Sequence, residues 1–121
     1  MANPMRLRRV ADQIRRELSE LLRMEVKDPR IGMVTITDVE VSPDLAHARV
    51  YYTTLEEGDA RLHTREGLRR AAGFLRSALG QRMNTHVAPE LRFEFDESVE
   101  RGARLSRLID EAVSSKKPRG Q

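Results

Sequence analysis

Chemically reactive side chains are few in this sequence, and they do not form a catalytic set. The three histidines, His47, His63 and His86, lack the H-E-x-x-H or His/Cys spacing of a zinc site. Cysteine is absent, so thiolate metal sites and disulfides are excluded. No glycine-rich loop follows a predicted strand, which disfavours nucleotide binding. We therefore expect no enzymatic activity, no catalytic residue, no metal site, no cofactor and no small-molecule substrate.

Arginines on one predicted helix have the clearest potential to bind a ligand. Between residues 61 and 82 the chain has six basic residues and one acidic residue. At about 100° per residue, Arg65, Arg69 and Arg76 project from the same side of a helix as Gly73. Guanidinium groups bind phosphate oxygens, so this side is a candidate nucleic-acid contact. An ordinary solvated helix surface is the alternative interpretation.

The glycine in the middle of this helix requires an explanation, because it costs about 1 kcal/mol relative to alanine. Either the helix kinks at Gly73, or another group approaches its backbone closely there. Arg82 favours a kink, since it would project towards the core from a straight helix. A second candidate contact region, Arg6, Arg8 and Arg9, opens the first predicted helix.

The hydrophobic pattern predicts the elements that position these residues. Apolar residues recur every three or four positions over about residues 7–26 and 62–83, which predicts amphipathic helices. Between these segments, alternation predicts an antiparallel hairpin over residues 33–54, with a bulge near Asp38 where the apolar phase shifts by one. Alternation over residues 91–95 predicts a third strand.

The C-terminal part adds a short predicted helix and a basic tail. Apolar residues within 105–112 have helical spacing, whereas residues 114–121 are polar and basic and are expected to be disordered. A chain of 121 residues is close to the size of one domain. We therefore expect a single domain over residues 1–113, followed by the tail.

Composition restricts both the compartment and the mode of recognition. No run of about 18 apolar residues and no signal-peptide core occurs, so we expect a cytoplasmic protein without a membrane partner. Aromatic residues make up 4% of the chain, and tryptophan is absent. Because so few rings are available for base stacking, recognition should depend on the nucleic-acid backbone and its shape. Phe74 projects between two helix faces and is expected at the rim of the core; a base-stacking platform is the alternative.

Six short stretches share their order and spacing with one known family. They are Arg9-Val10-Ala11, Val26-Lys27-Asp28-Pro29-Arg30-Ile31-Gly32, Asp44-Leu45-Ala46-His47-Ala48, Ala71-Ala72-Gly73-Phe74-Leu75-Arg76, Val87-Ala88-Pro89-Glu90-Leu91 and Gly102-Ala103-Arg104-Leu105-Ser106. Over about residues 5–110 the chain thus resembles the ribosome-binding factor A family. The expected fold is α+β and type II KH-like, in the order α-β-β-α-α-β. Its three-stranded sheet packs on the helices, and a short C-terminal helix follows.

The resemblance also implies a site and a function. KH domains usually hold single strands with a Gly-x-x-Gly loop, which this sequence lacks. The family instead has an Ala-x-Gly kink between two central helices, which Ala71-Ala72-Gly73 matches. The implied role of this backbone, beside Arg69, Arg70 and Arg76, is contact with RNA phosphates.

The implied partner is the free small (30S) ribosomal subunit, near the 5′-end helix and the decoding-region helices of 16S rRNA. A monomeric, non-enzymatic factor would assist late subunit maturation and 16S rRNA 5′-end processing. Two alternatives remain open at this point. One is a general KH-type nucleic-acid-binding module without ribosome specificity, and the other is an rRNA-processing nuclease.

Overall fold

A computed structural model describes residues 3–24, 31, 34–84 and 88–98 of the chain. Two helices and three strands follow in the order α1 (Pro4–Met24), β1 (Val34–Val41), β2 (His47–Thr54), α2 (Gly58–Arg82) and β3 (Glu90–Phe95). The helix predicted within residues 105–112 and the tail at 114–121 lie outside the described residues. The single domain expected over residues 1–113 therefore stays a prediction.

The first helix is capped at its N-terminus by the side chain of Asn3. Asn3 precedes it, and its Oδ1 accepts a hydrogen bond of 2.8 Å from the backbone N–H of Arg6. Pro4 occupies the first helical position, where a missing N–H has no cost. The predicted apolar stripe is confirmed, since Ile14 and Leu18 are fully buried.

The three strands form one sheet in the order β1-β2-β3. Strands β1 and β2 are the predicted antiparallel hairpin, and β3 runs parallel to β2. The β1 register shifts between Ile36 and Asp38, which confirms the predicted bulge. Because one residue is inserted there, Ile36 and Val39 can both be buried although they are three positions apart.

The β1–β2 turn is held by a network of side-chain hydrogen bonds. The Oδ1 atom of Asp44 accepts from the Ser42 hydroxyl at 2.6 Å and from the Ala46 N–H at 3.1 Å. These bonds, the one from Ser42 foremost, hold the pKa of Asp44 below its ordinary range. Leu45, in the same turn, has a positive φ of 62°, and β2 begins two residues later.

Both helices cover the same face of the sheet. One core cluster joins residues of α1, β1, β2, α2 and β3: Ala11, Ile14, Leu18, Leu21, Ile36, Val39, Ala48, Val50, Leu75, Leu79 and Leu91. The opposite face of the sheet has polar and charged side chains that lie close to one another. Arg49 lies with its Nε 3.5 Å from Glu94, and the Nδ1 of His47 lies 3.6 Å from Glu90. The domain is therefore a two-layer α+β structure.

The second helix is a single element. It runs from Gly58 to Arg82 without interruption at Gly73. Leu68, Leu75 and Leu79 are buried on one side along its length, so its second half is not re-aimed. The observed order is α-β-β-α-β, with the two expected central helices joined into one. The α+β, type II KH-like class is confirmed.

Arg82 has a different explanation from the predicted kink. Its Nη1 lies 2.9 Å from a carboxylate oxygen of Glu17 and 3.4 Å from one of Glu20, both on α1. The hydrogen bond to Glu17 is the main reason why the pKa of Arg82 is raised. An arginine on the inner side of a straight helix is thus satisfied by the neighbouring helix.

Candidate nucleic-acid interface

The exposed side of α2 carries five of the predicted contact residues. We call this group the α2 patch: Arg65, Arg69, Arg70, Gly73 and Arg76. Arg69 and Arg70 lie about one helical turn before Gly73, and Arg76 lies about one turn after it. The structure therefore places the backbone of Gly73, which no side chain covers, among guanidinium groups.

Gly73 has no packing partner that would require a glycine. A Cβ atom added at this position would meet nothing within 4 Å in the described part of the chain. Because the helix is also continuous, of the two explanations offered by the sequence the close approach of another group to the backbone is the better supported. A ligand that contacts the backbone here would be blocked by any larger side chain.

Two arginines of the α2 patch share one carboxylate. Arg69 Nη1 lies 3.8 Å from one oxygen of Glu66, and Arg70 Nε lies 3.5 Å from the other. The Arg69 side chain is 81% exposed and that of Arg70 is 62% exposed. Such exposed ion pairs contribute little to stability, so either arginine can leave Glu66 for another anion. The patch therefore keeps a net positive charge and can give up Glu66 for a phosphate.

Arg76 is anchored at one point and open at others. Its Nε donates a hydrogen bond of 3.0 Å to the carbonyl oxygen of Ala88, just before β3. Within the described residues its two terminal nitrogens have no hydrogen bond, so they can bind a phosphate oxygen. The anchor fixes the direction of the guanidinium and also ties α2 to the start of β3.

The Ala71-Ala72-Gly73 stretch is not equally accessible. Ala71 packs against the hydrophobic core and Ala72 is half-buried. Gly73 is the one residue of the three that is exposed. A contact to this tripeptide would therefore be made mainly at Gly73.

Arg61 and Arg65, near the start of α2, differ in their surroundings. The Arg61 guanidinium carbon lies 4.1 Å from the centre of the Phe95 ring, and its Nε donates to the Glu56 carbonyl at 3.2 Å. Arg65 is exposed, and its charge acts on Tyr52. Burial raises the pKa of Tyr52, and the positive charges of Arg65 and Arg61 oppose that rise. Arg61 thus stabilises the fold, whereas Arg65 remains in the α2 patch.

The second predicted contact region lies in the first turns of α1. Arg6, Arg8 and Arg9 are all exposed. Helical spacing puts Arg6 and Arg9 on similar sides of α1 and Arg8 on a different side. These arginines therefore do not form one compact cluster, and their role stays a prediction.

Within the described ranges, no group of three or more His, Asp or Glu side chains could hold a metal ion. No helix in those ranges is long and apolar enough to cross a bilayer. His47 lies on the helix-free face of the sheet, His63 is exposed on α2, and His86 lies outside the described residues.

Sequence reasoning missed the environment of Phe74. It was expected at the rim of the core, but it is 52% exposed and is not among the residues that pack against the core cluster. Its neighbour in the chain is Gly73, so it borders the α2 patch. The helical projection between two faces was the available signal, and it could not distinguish a core rim from an exposed position.

The fold and the arginine-lined helix together define a small type II KH-like protein. The model of the family described as "Ribosome-binding factor A" matches residues 6–109. Over 108 residues the chain is 58% identical to ribosome-binding factor A of Azoarcus sp. (strain BH72), covering 89% of this chain and 86% of the relative. The chain belongs to the ribosome-binding factor A family.

Two structural comparisons agree with this assignment. The crystal structure of ribosome-binding factor A from Thermus thermophilus is 27% identical, with a TM-score of 0.65, and the match covers 74% of this chain and 94% of that one. A homology model of the Thermus thermophilus factor, fitted into the cryo-EM map of its 30S complex, is 28% identical with a TM-score of 0.61. That match covers 72% of this chain and 91% of the other. The family fold therefore extends over most of the chain.

Proposed function

We propose that this protein binds the free small ribosomal subunit and assists its late maturation without catalysing a reaction. The α2 patch would contact rRNA phosphates, and Arg6, Arg8 and Arg9 would form a second contact. Binding would stabilise one conformation of the 16S rRNA near its 5′-end helix and the decoding-region helices. Processing of the 5′ end by other enzymes would then follow. We expect a monomer that acts in the cytoplasm.

The observation that carries this proposal is the position of Gly73. This glycine weakens the helix, and a Cβ added to it would meet nothing within 4 Å in the described structure. Arginines lie about one turn before it and one turn after it. This combination suits the backbone of a structured RNA, which presents phosphates in a fixed arrangement. Family membership and the 30S complex of the Thermus thermophilus relative support the small subunit as the partner.

Co-sedimentation tests the proposal directly. Purified protein is centrifuged with free small subunits, with large subunits and with protein-free rRNA, at one ionic strength. We expect it to pellet with small subunits in preference to the other two. Equal recovery with all three would support a general nucleic-acid-binding module instead.

A nuclease function predicts a different result. The protein is incubated with precursor 16S rRNA, with and without a divalent cation. We expect the 5′ end to remain unprocessed, because no catalytic group is found in the α2 patch. Cation-dependent cleavage by the purified protein would overturn the proposal that it acts by binding alone.

A further inference from the structure

The aromatic residues of the described structure have clear structural roles, with one exception. Tyr52 is buried, and the Phe95 ring meets it edge-on with ring centres 5.8 Å apart. Phe93 packs against the core cluster, and the hydroxyl of Tyr51 lies 3.4 Å from a carboxylate oxygen of Glu40. Phe74 has no ring or guanidinium contact among the described residues. Among the aromatic residues of the described part of the chain, it is the one whose side chain is exposed.

Exposure of one apolar side chain is ordinary, so position must decide whether it has a function. Phe74 directly follows Gly73, the bare point of the α2 patch. Arg70 lies one turn before it on the same side of the helix, and Arg69 and Arg76 lie on the other side of Gly73. An apolar ring is thus found beside the groups best suited to hold phosphates.

This arrangement matches the two parts of an unpaired nucleotide. A phosphate can be held by guanidinium groups while the attached base lies on an aromatic face. At Gly73 the missing side chain leaves room for the sugar-phosphate backbone to pass between them. A protein partner would be a weaker match, because the surrounding charge is positive and the apolar area is that of a single ring.

We propose that Phe74 stacks on one unpaired base of the bound RNA, while the arginines of the α2 patch hold the adjoining phosphates. This inference rests on the proposed RNA-binding function and deepens it. It adds a local contact to a base where the sequence had indicated only backbone and shape. One unpaired nucleotide in a structured RNA is sufficient for such a contact.

The chain itself provides a clean spectroscopic test, because it contains no tryptophan. In Phe74→Trp the new indole is the only one, and a stacked base would quench its fluorescence. The matched control is Leu55→Trp, at a side chain that is 92% exposed in the β2–α2 turn. Position 55 precedes α2, whose first residue, Gly58, lies roughly 24 Å along the helix axis from position 74, beyond the reach of the same nucleotide.

Each variant is titrated with purified small subunits, and the wild-type protein supplies the background from ribosomal tryptophans. We expect quenching of Phe74→Trp and little change in Leu55→Trp. A blue shift with increased emission at position 74 would indicate burial against a ribosomal protein and would overturn the stacking proposal. Unchanged emission, while co-sedimentation shows that Phe74→Trp is bound, would overturn it as well.

A parallel titration with single-stranded polyadenylate at low salt separates this inference from the proposed function. Quenching by polyadenylate without binding to small subunits would retain the stacking contact and reject the ribosomal role. Binding to small subunits without quenching in either titration would retain the ribosomal role and reject the contact.

Affinity measurements add an independent readout. Phe74→Leu keeps an apolar side chain but removes the aromatic face, so affinity for small subunits should fall by about fivefold to a hundredfold. Phe74→Tyr keeps the aromatic face and should therefore retain more affinity than Phe74→Leu, and Leu55→Ala should have no effect. Thermal unfolding confirms that each variant is folded. A folded Phe74→Leu protein with unchanged affinity would contradict the proposal.

Discussion

At the scale of single residues, a side chain at position 73 should affect stability and binding in opposite directions. The helix would be more stable with alanine here, since the added Cβ meets nothing within 4 Å in the described structure. We predict that Gly73→Ala raises the free energy of unfolding by about 0.5–1 kcal/mol. The same methyl group should weaken association with small subunits, because it occupies the space of the approaching RNA.

Urea denaturation and co-sedimentation of the same Gly73→Ala preparation test both halves of this prediction. Ser77→Ala is the control, at an exposed position one turn further along α2. A more stable variant that binds as well as the wild type would show that nothing approaches the backbone at Gly73.

Tyr52 gives a second prediction at this scale, concerning pH. Burial raises the pKa of its hydroxyl in the folded protein, so the unfolded chain loses this proton first, at about pH 10. Below about pH 10, where Tyr52 is protonated in both states, its contribution to the free energy of unfolding is fully present. That contribution is lost as the pH rises towards the folded pKa. We predict that the stability of the wild type falls more than that of Tyr52→Phe between about pH 9 and about pH 11. Parallel loss in both proteins, measured by urea denaturation, would contradict this assignment.

Helical periodicity is enough to locate the α2 patch, but it does not predict the hydrogen bonds that the patch makes with other elements. Arg65, Arg69 and Arg76 fall on one side of α2 by spacing alone, and the structure agrees. The hydrogen bond from Arg76 to Ala88 was not predictable, because it joins residues brought together by the return of the chain into β3. Residue spacing indicates direction along one element, whereas this contact depends on how two elements meet.

At the scale of elements, an ion pair at Arg82 joins α1 and α2 in addition to the core cluster that they share. The guanidinium of Arg82 reaches Glu17 and Glu20, and the Arg82 and Glu17 side chains are both about three-quarters covered. We predict that Arg82→Gln and Glu17→Gln each lower stability, and that the double variant loses less than the sum of the two. A double-mutant cycle measured by urea denaturation checks this coupling. Strictly additive losses would mean that the ion pair does not join the helices.

The elements were predictable because their hydrophobic periods are clear, whereas the join between the central helices was not. Leu68, Leu75 and Leu79 repeat at helical spacing, and Ile36 and Val39 reveal the bulge by their change of phase. The uninterrupted α2 was missed because Arg82 on the inner side suggested a kink. Its partner Glu17 lies 65 positions away in the sequence, and a local pattern cannot report so distant an ion pair.

At the scale of the whole molecule, the two layers differ in how their charges are used. On the helix-free face of the sheet, Arg49 lies between Glu40 and Glu94 at 4.0 and 3.5 Å, so its charge is compensated within the protein. On the helical layer, two arginines of the α2 patch share the single carboxylate of Glu66. A polyanion should therefore meet the helical layer, which leaves the sheet face turned away.

Salt dependence follows from this distribution. If binding is dominated by phosphate contacts, the logarithm of the association constant falls linearly with the logarithm of salt concentration, with a slope of about −0.9 per contact. We predict such a steep, linear decrease for binding to small subunits. An affinity for small subunits that does not change with salt, measured by co-sedimentation of the wild-type protein, would indicate mainly apolar docking.

The most direct test of the central claim compares two double variants that lose the same charge on opposite layers. Arg69→Gln with Arg70→Gln changes the α2 patch, and Arg49→Gln with Arg92→Gln changes the helix-free face of the sheet. Arg76 is left intact because it also holds Ala88. Co-sedimentation with free small subunits is measured over a range of salt concentrations. The α2 double variant should bind more weakly, and its slope of log association constant against log salt concentration should be less steep by about two. The sheet double variant should behave as the wild type does. Equal losses in the two variants, or a loss in the sheet variant alone, would contradict the assignment of RNA binding to α2.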